Sequence, residues 1–141
     1  NLLTAQVFSD PPMNTVPIAK QGNRLVLDEK TAWSPSAHYE TLGDGAYLVG
    51  LRSHHVLLQP DPGHEETDSV ALDGTVMITE LSGSESTVHF SHGEQTWISQ
   101  SHGIHALEIG QTARFRFNPR HALLFSTDGQ RISGGADGGL N

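Results

Sequence analysis

The sequence contains no cysteine, so disulfides and thiolate metal ligands are both excluded. That fits a reducing compartment. Basic residues are scarce: eight Lys and Arg stand against sixteen Asp and Glu, a formal net charge of −8. Such a balance argues against nucleic acid or an anionic membrane as the main partner, since both are held mostly by clustered cations. No apolar run approaches bilayer-spanning length. The opening residues, Asn1-Leu2-Leu3-Thr4, have neither the basic nor the long apolar stretch of a signal peptide. The start reads as the interior of a longer protein. Three catalytic signatures are also missing: the G-x-x-x-x-G-K-[ST] phosphate loop, H-E-x-x-H and G-x-S-x-G. Phosphate-loop ATP hydrolysis is therefore excluded for this chain.

What is present is β patterning with frequent punctuation. At 141 residues the chain can form one compact domain, or two small ones sharing an interface. A chain of this size buries roughly 70% of the surface that it exposes when unfolded, so it needs no staples. The clearest pattern is Thr75 to Phe90, two strands meeting at Ser82-Gly83-Ser84-Glu85. Val88 and Phe90 share one face of the second arm and Thr87 and His89 the other, the period of a half-buried strand. Ala113 to Phe117 alternates as well, with Ala113, Phe115 and Phe117 inward and Arg114 and Arg116 outward. Shorter strands are predicted at Thr15–Ala19, Arg24–Asp28, Thr96–Ser99 and Ala122–Phe125, and over Ala46–Leu58 with a break near Arg52-Ser53. Asp44-Gly45, Asp73-Gly74 and Asp128-Gly129 read as turns, because glycine adopts positive φ without steric cost.

These features predict an all-β chain of two linked small OB-like barrels, built from short antiparallel strands with no long helix. Residues 1–12 read as a linker from an upstream domain. Residues 13–132 read as a single β module, in portions of about 13–60 and 69–132 separated by an acidic, proline-containing loop. The Gly-rich residues 133–141 read as a flexible tail.

Leu81-Ser82-Gly83-Ser84-Glu85 resembles the L-S-G-G-Q signature of ABC ATPases, but its flanks are strands rather than a helix, so it reads as a polar hairpin turn. The nine histidines include His54-His55 and two H-x-x-H pairs, His89/His92 and His102/His105. Imidazoles suit zinc, but a three-residue step on a strand puts the two rings on opposite faces. These histidines therefore read as surface or turn residues, with no metal and no catalytic residue assigned. Trp33 and Trp97 read as core anchors, with an interface role as the other option.

Four segments together carry a resemblance. Ser9-Asp10-Pro11-Pro12-Met13-Asn14-Thr15-Val16-Pro17, Gly50-Leu51-Arg52-Ser53-His54-His55, Glu80 to Ser86, and Leu123 to Ile132 resemble, in order and spacing, motifs that follow the nucleotide-binding domain in ATP-binding subunits of carbohydrate-type ABC importers. The maltose and glycerol-3-phosphate importers are of this type. Ser53 and His54 depart from the usual Pro and Glu, and Ser82 from the usual Leu. The resemblance implies a transport-associated (TOBE, OB-type) regulatory module. It would lack its own cofactor, ATP and Mg binding the upstream ATPase domain instead. Its implied partners are a second copy of itself, that ATPase domain and, through the parent protein, membrane permease subunits. Its implied place is cytoplasmic and peripheral to the inner membrane. Glu80, Gly83 and Glu85 in the hairpin, with Trp97, are the candidate contacts. The alternatives are a β-barrel that binds a small oxyanion or sugar, and a zinc-dependent hydrolase.

Overall fold

The computed structural model describes residues 13–59, 69–103 and 107–132. The expected linker, the 133–141 tail, nearly all of the acidic loop and His105 lie outside the described residues. Within them the fold is all-β and OB-like, with three single-turn 3-10 segments as its only helical structure.

The described residues form two five-stranded antiparallel sheets. The first contains β1 (Met13–Gln21), β2 (Arg24–Val26), β3 (Ala32–Trp33), β4 (Gly45–Arg52) and β10 (Leu123–Phe125), in the order β10-β4-β1-β2-β3. The second contains β5 (Leu57–Leu58), β6 (Val70–Ser82), β7 (Glu85–His92), β8 (Gln95–His102) and β9 (Thr112–Phe117), in the order β5-β9-β6-β7-β8. The C-terminal portion thus returns β10 to the first sheet, and the N-terminal portion lends β5 to the second. The second sheet curls until its edge strands approach: the Leu58 N–H donates to Ser101 Oγ at 3.5 Å. That near-closure is the OB-type solution to exposed sheet edges.

The two sheets share one core, which follows from the alternation. Val16, Ile18 and Leu25 of the first sheet and Leu72, Val76, Val88, Phe90, Phe115 and Phe117 of the second belong to a single buried cluster. Aromatic contacts close it. Phe90 and Phe115 stack at 3.8 Å, and Trp33 meets Phe117 edge-on at 5.2 Å, across the sheet boundary. Such pairs add about 0.5–1.5 kcal/mol beyond the area that they bury.

Polar ties join the elements as well. The Asn14 amide donates to the Leu51 carbonyl at 3.2 Å and the Ile98 carbonyl at 2.8 Å, and its oxygen accepts the Ile98 N–H at 2.5 Å. Lys20 is 3% exposed. Its ammonium donates to the carbonyls of Gly22, Glu40 and Leu42 at 2.8, 3.2 and 2.8 Å, so all three N–H bonds are used and the buried charge is satisfied.

Asp73-Gly74 corrects a sequence expectation. It is no turn but the middle of the thirteen-residue β6, with Asp73 opposite Arg114 and Gly74 opposite Ala113. The glycine is required by packing: a Cβ at Gly74 would come within 2.2 Å of the Phe90 ring. Glycine in a strand interior marks such a close approach. The turn of the next hairpin is as expected. Ser82 pairs with Glu85, leaving Gly83-Ser84 as a two-residue turn in which Gly83 has φ of 60°. One residue of β6 is extra, however: Val76 opposes Phe90 and Ile78 opposes His89, a bulge at Met77. The bulge breaks the simple alternation and leaves both Met77 and Ile78 exposed.

Gly74→Ala should destabilise the fold by about 1–3 kcal/mol, the usual cost of overpacking a closed core. Urea unfolding reads this directly, and an unchanged midpoint would show that Phe90 yields without cost.

Candidate functional site

Three of the four resemblance segments converge on one structural junction. Met13 of β1 and Phe125 of β10 form a small buried cluster, with Leu48 and Leu123 beside it. Gly50 of β4 lies beneath, where a Cβ would come within 2.7 Å of Met13 Sδ and 2.8 Å of Phe125 Cε1. Asn14 adds the tie to β8. Met13, Asn14, Gly50 and Phe125 of these segments are therefore committed to holding strands together.

The fourth segment is the β6–β7 hairpin. Glu80 is exposed and meets His89 Nε2 at 3.1 Å. Gly83 forms the apex. Glu85 is half-buried and accepts from Gln100 Nε2 at 3.5 Å. These three sit together. Trp97 does not join them. It opposes Phe90 on β8, and the alternation that buries Phe90 carries the indole into the core with it. Trp97 is fully buried and stacks at 6.3 Å from Phe90 and 6.4 Å from Phe117, so it presents no contact surface.

The distal half of β6 has another property. Past Thr75 it has no β9 partner, and among the described residues no strand pairs with Ile78–Ser82 on that side. Ile78 and Leu81 there are 50% and 57% exposed. An open strand edge carrying large apolar residues invites pairing with another chain.

Two clefts collect ionisable side chains. The larger, about 800 Å³, lies where the connection between β2 and β3 faces the second sheet. His92 spans it. One ring nitrogen meets the Asp73 carbonyl at 2.7 Å and the other the Asp28 carboxylate at 2.6 Å. Both partners are acceptors, so the ring satisfies both only when each nitrogen carries a hydrogen. Burial pushes the Asp28 carboxyl up, but the Lys30 N–H and His92 together hold it below the usual carboxylate value. Arg114 Nε donates to Asp73 at 2.9 Å and lowers that carboxyl too. The acids and bases of this cleft are mutually engaged.

The smaller cleft, about 170 Å³, is lined by His54, His55, Arg116, Asn118, Arg120 and His121, with Leu57 and Phe117, and among the described residues by no carboxylate. The break expected at Arg52-Ser53 is a 3-10 turn, Ser53–His55, which delivers the adjacent histidines. A second turn, Pro119–His121, starts on Pro119 and is capped by Asn118, whose side chain accepts the Arg120 N–H at 3.0 Å. His55 stacks on His121 at 3.8 Å and lies 4.0 Å from His54. Burial, then the neighbouring His121, His54, Arg52 and Arg120, push His55 down to about 4. Burial and Arg120 lower His121. Arg120 Nε donates to His121 Nε2 at 3.4 Å, which leaves the proton of the neutral ring on Nδ1.

The adjacent His54-His55 pair was visible in the sequence, but its meeting with His121 was not. The only local signal was the Asn-Pro cap that sets a helical turn at Arg120-His121. The His89/His92 pair forms no shared site, and His105 of the other pair lies outside the described residues. His89 reaches Glu80 while His92 reaches Asp28, and among the described residues no three His, Asp or Glu are arranged to hold a metal ion.

Residues 49–125 match the family model of the TOBE domain. The chain belongs to the TOBE domain family. Among solved structures it is similar to the cytoplasmic molybdate-binding protein ModG, in a crystal form with molybdate bound. The TM-score is 0.63 at 14% identity, covering 81% of this chain and 94% of that one, a likeness of fold. No curated protein matches the TOBE chain by sequence.

The imidazole cluster carries a pH dependence of known sign. Unfolded His55 binds a proton near 6.5 and folded His55 only near 4, so between these values the unfolded state holds more protons. Stability is then present above about pH 6.5 and lost as pH falls through that window. The loss attributable to His55 should be on the order of 1–2 kcal/mol after discounting for solvent screening. The lowered carboxyls of Asp28 and Asp73 act in the same direction, but only below their unfolded value of 3.8. Chemical denaturation between about pH 7 and 4.5 should show the decline, and His55→Asn should flatten it. An equal slope in the variant would remove the cluster as its cause.

Proposed function

We propose that this TOBE domain is the non-catalytic regulatory and dimerisation module of an ABC importer ATP-binding subunit, of the sugar or glycerol-3-phosphate class. The family match and the four in-register segments support it. The observation that carries it is the β6 edge at Ile78–Ser82, unpaired among the described residues, with exposed Ile78 and Leu81 on either side of Glu80 and leading into Gly83 and Glu85. A second copy is its occupant. Two such edges meeting about a two-fold axis present the same strand to each other, as a closed symmetric dimer requires. In the parent protein this contact would tether two ATPase domains and raise their effective concentration for closing around ATP and Mg on that upstream domain. A regulator on the module would shift open against closed only by preferring one of the two states. The module would reach the membrane solely through permease subunits, placing it in the cytoplasm at the inner membrane.

The alternative, a module that binds a small oxyanion or sugar, fits about as well. The fold likeness to a molybdate-binding protein and the cleft of His54, His55 and His121, lined by no carboxylate among the described residues, favour it.

Sedimentation at graded concentration tests the first reading. The chain should shift from monomer toward dimer through the micromolar range, and Ile78→Asp or Leu81→Asp should abolish the shift, because a charge in a paired apolar edge is costly. A strict monomer into the high micromolar range, or a dimer indifferent to both substitutions, contradicts it.

A further inference from the structure

We propose that the β6 edge pairs with the β6 edge of a second copy in one register, Glu80 lying on the two-fold axis, and that the pairing tightens as His89 takes up a proton. The proposal deepens the dimer reading above and rests on it.

The backbone sets the bounds. Ser82 and Glu85 close the Gly83-Ser84 turn, so they are the hydrogen-bonded pair nearest to it. Alternation then directs the N–H and C=O of Ser82, Glu80 and Ile78 toward β7, and those of Thr79 and Leu81 toward the open edge. The bulge at Met77 shifts this phase. Beyond it Val76 also faces away from β7, donating its N–H to the Gln111 carbonyl at 2.9 Å and accepting the Gly110 N–H at 2.8 Å. The edge open to a second copy therefore ends at the bulge on one side and at the turn on the other.

Symmetry selects one alignment within those bounds. Two copies of one strand extend a sheet only about an axis perpendicular to it, and with side chains alternating between faces that axis passes through a residue. With the axis on Glu80, each Thr79 exchanges both backbone hydrogen bonds with Leu81 of the second copy, and every outward group is used. With the axis on Thr79, Leu81 would meet the bulge. With the axis on Leu81, Thr79 would meet the Gly83 turn.

The same alignment opposes two carboxylates. Residues facing each other without hydrogen bonds have Cα atoms about 4.5 Å apart, and like charges so placed destabilise a sheet. His89 is the counterweight, since its Nε2 lies 3.1 Å from Glu80 Oε1. Further along that face are Glu85 of β7 and, opposite it, His102 of β8. Beyond the bulge are Asp73 and Arg114, which pair with each other at 2.9 Å. A proton on each His89 neutralises its Glu80, so two edges together hold more protons than two edges apart. Association therefore tightens as pH falls.

The chain has no cysteine, so single introduced cysteines report the register. Glu80→Cys in the full chain should form a disulfide-linked dimer at least fivefold faster than Thr79→Cys or Leu81→Cys. Only the axial residue meets its own copy within disulfide reach, the diagonal positions being about 7–8 Å apart. Sedimentation of the unsubstituted chain should give a dissociation constant at least fivefold tighter at about pH 5.5 than at about pH 7.5. Glu80→Gln should tighten association at about pH 7.5 and flatten the pH dependence, and His89→Asn should flatten it without the gain. Thermal melts confirm that each variant folds. Fastest crosslinking at Thr79 or Leu81, or a Glu80→Gln dimer with the parent's affinity and pH slope, overturns the inference; the dimer reading stands if Ile78→Asp still abolishes association. Parent and Glu80→Gln chains that both stay monomeric at both pH values into the high micromolar range remove the dimer reading itself.

Discussion

The side-chain amide of Asn14 does for the two sheets what a backbone pair does for two strands. Its nitrogen and oxygen engage the carbonyl and the N–H of Ile98, and the nitrogen also reaches Leu51. Ile98 lies on β8, at the edge of the second sheet, and Asn14 begins the first. The amide thereby fills a gap that regular pairing leaves open. Beside it Met13, Gly50 and Phe125 pack without space for a Cβ at the glycine. A buried polar group of this kind stabilises only when every bond is made, and here each is. The return of β10 to the first sheet uses the same junction, because β10 pairs with β4 and its Phe125 packs on Met13.

This arrangement divides the chain's distinctive residues into two sets. Met13, Asn14, Gly50 and Phe125 recur in the importer-like segments, and their physical role is to join sheets. The residues free to meet something else lie on the outside: the β6 edge with Ile78, Leu81 and Glu80, and the cationic cleft of the two 3-10 turns. One surface is apolar and linear and suits another strand. The other is small and charged and suits an anion. The two lie on separate elements, so a module of this shape has room for a partner and a ligand at once.

Much of the fold was legible because strand alternation depends on nothing but near neighbours. Val88 and Phe90 point inward, as do Phe115 and Phe117, and the Gly83 turn forms where a two-residue hairpin requires it. The misreadings share a different cause. Asp73-Gly74 has the composition of a turn, but Phe90 needs the space that glycine leaves, and that demand comes from a strand sixteen residues on. The bulge at Met77 is a matter of register between two strands, which no periodicity within one of them records. Trp97 was a candidate contact by its closeness in sequence to the hairpin, yet register against Phe90 buries it. The His54–His55–His121 cleft joins turns more than sixty residues apart, so the composition hinted at imidazole chemistry without saying where it gathers.

Asn14 locks the two sheets into one cooperative unit. Asn14→Asp tests it with almost no change of shape, since it replaces the donor that serves Leu51 and Ile98 by an acceptor facing two carbonyls. Denaturant unfolding combined with amide hydrogen exchange at Ile98 reads the result. A loss of about 2–4 kcal/mol is expected, from two lost hydrogen bonds and an uncompensated buried charge, with protection at Ile98 falling in step. A variant within about 0.5 kcal/mol of the parent, with Ile98 still protected, would contradict it.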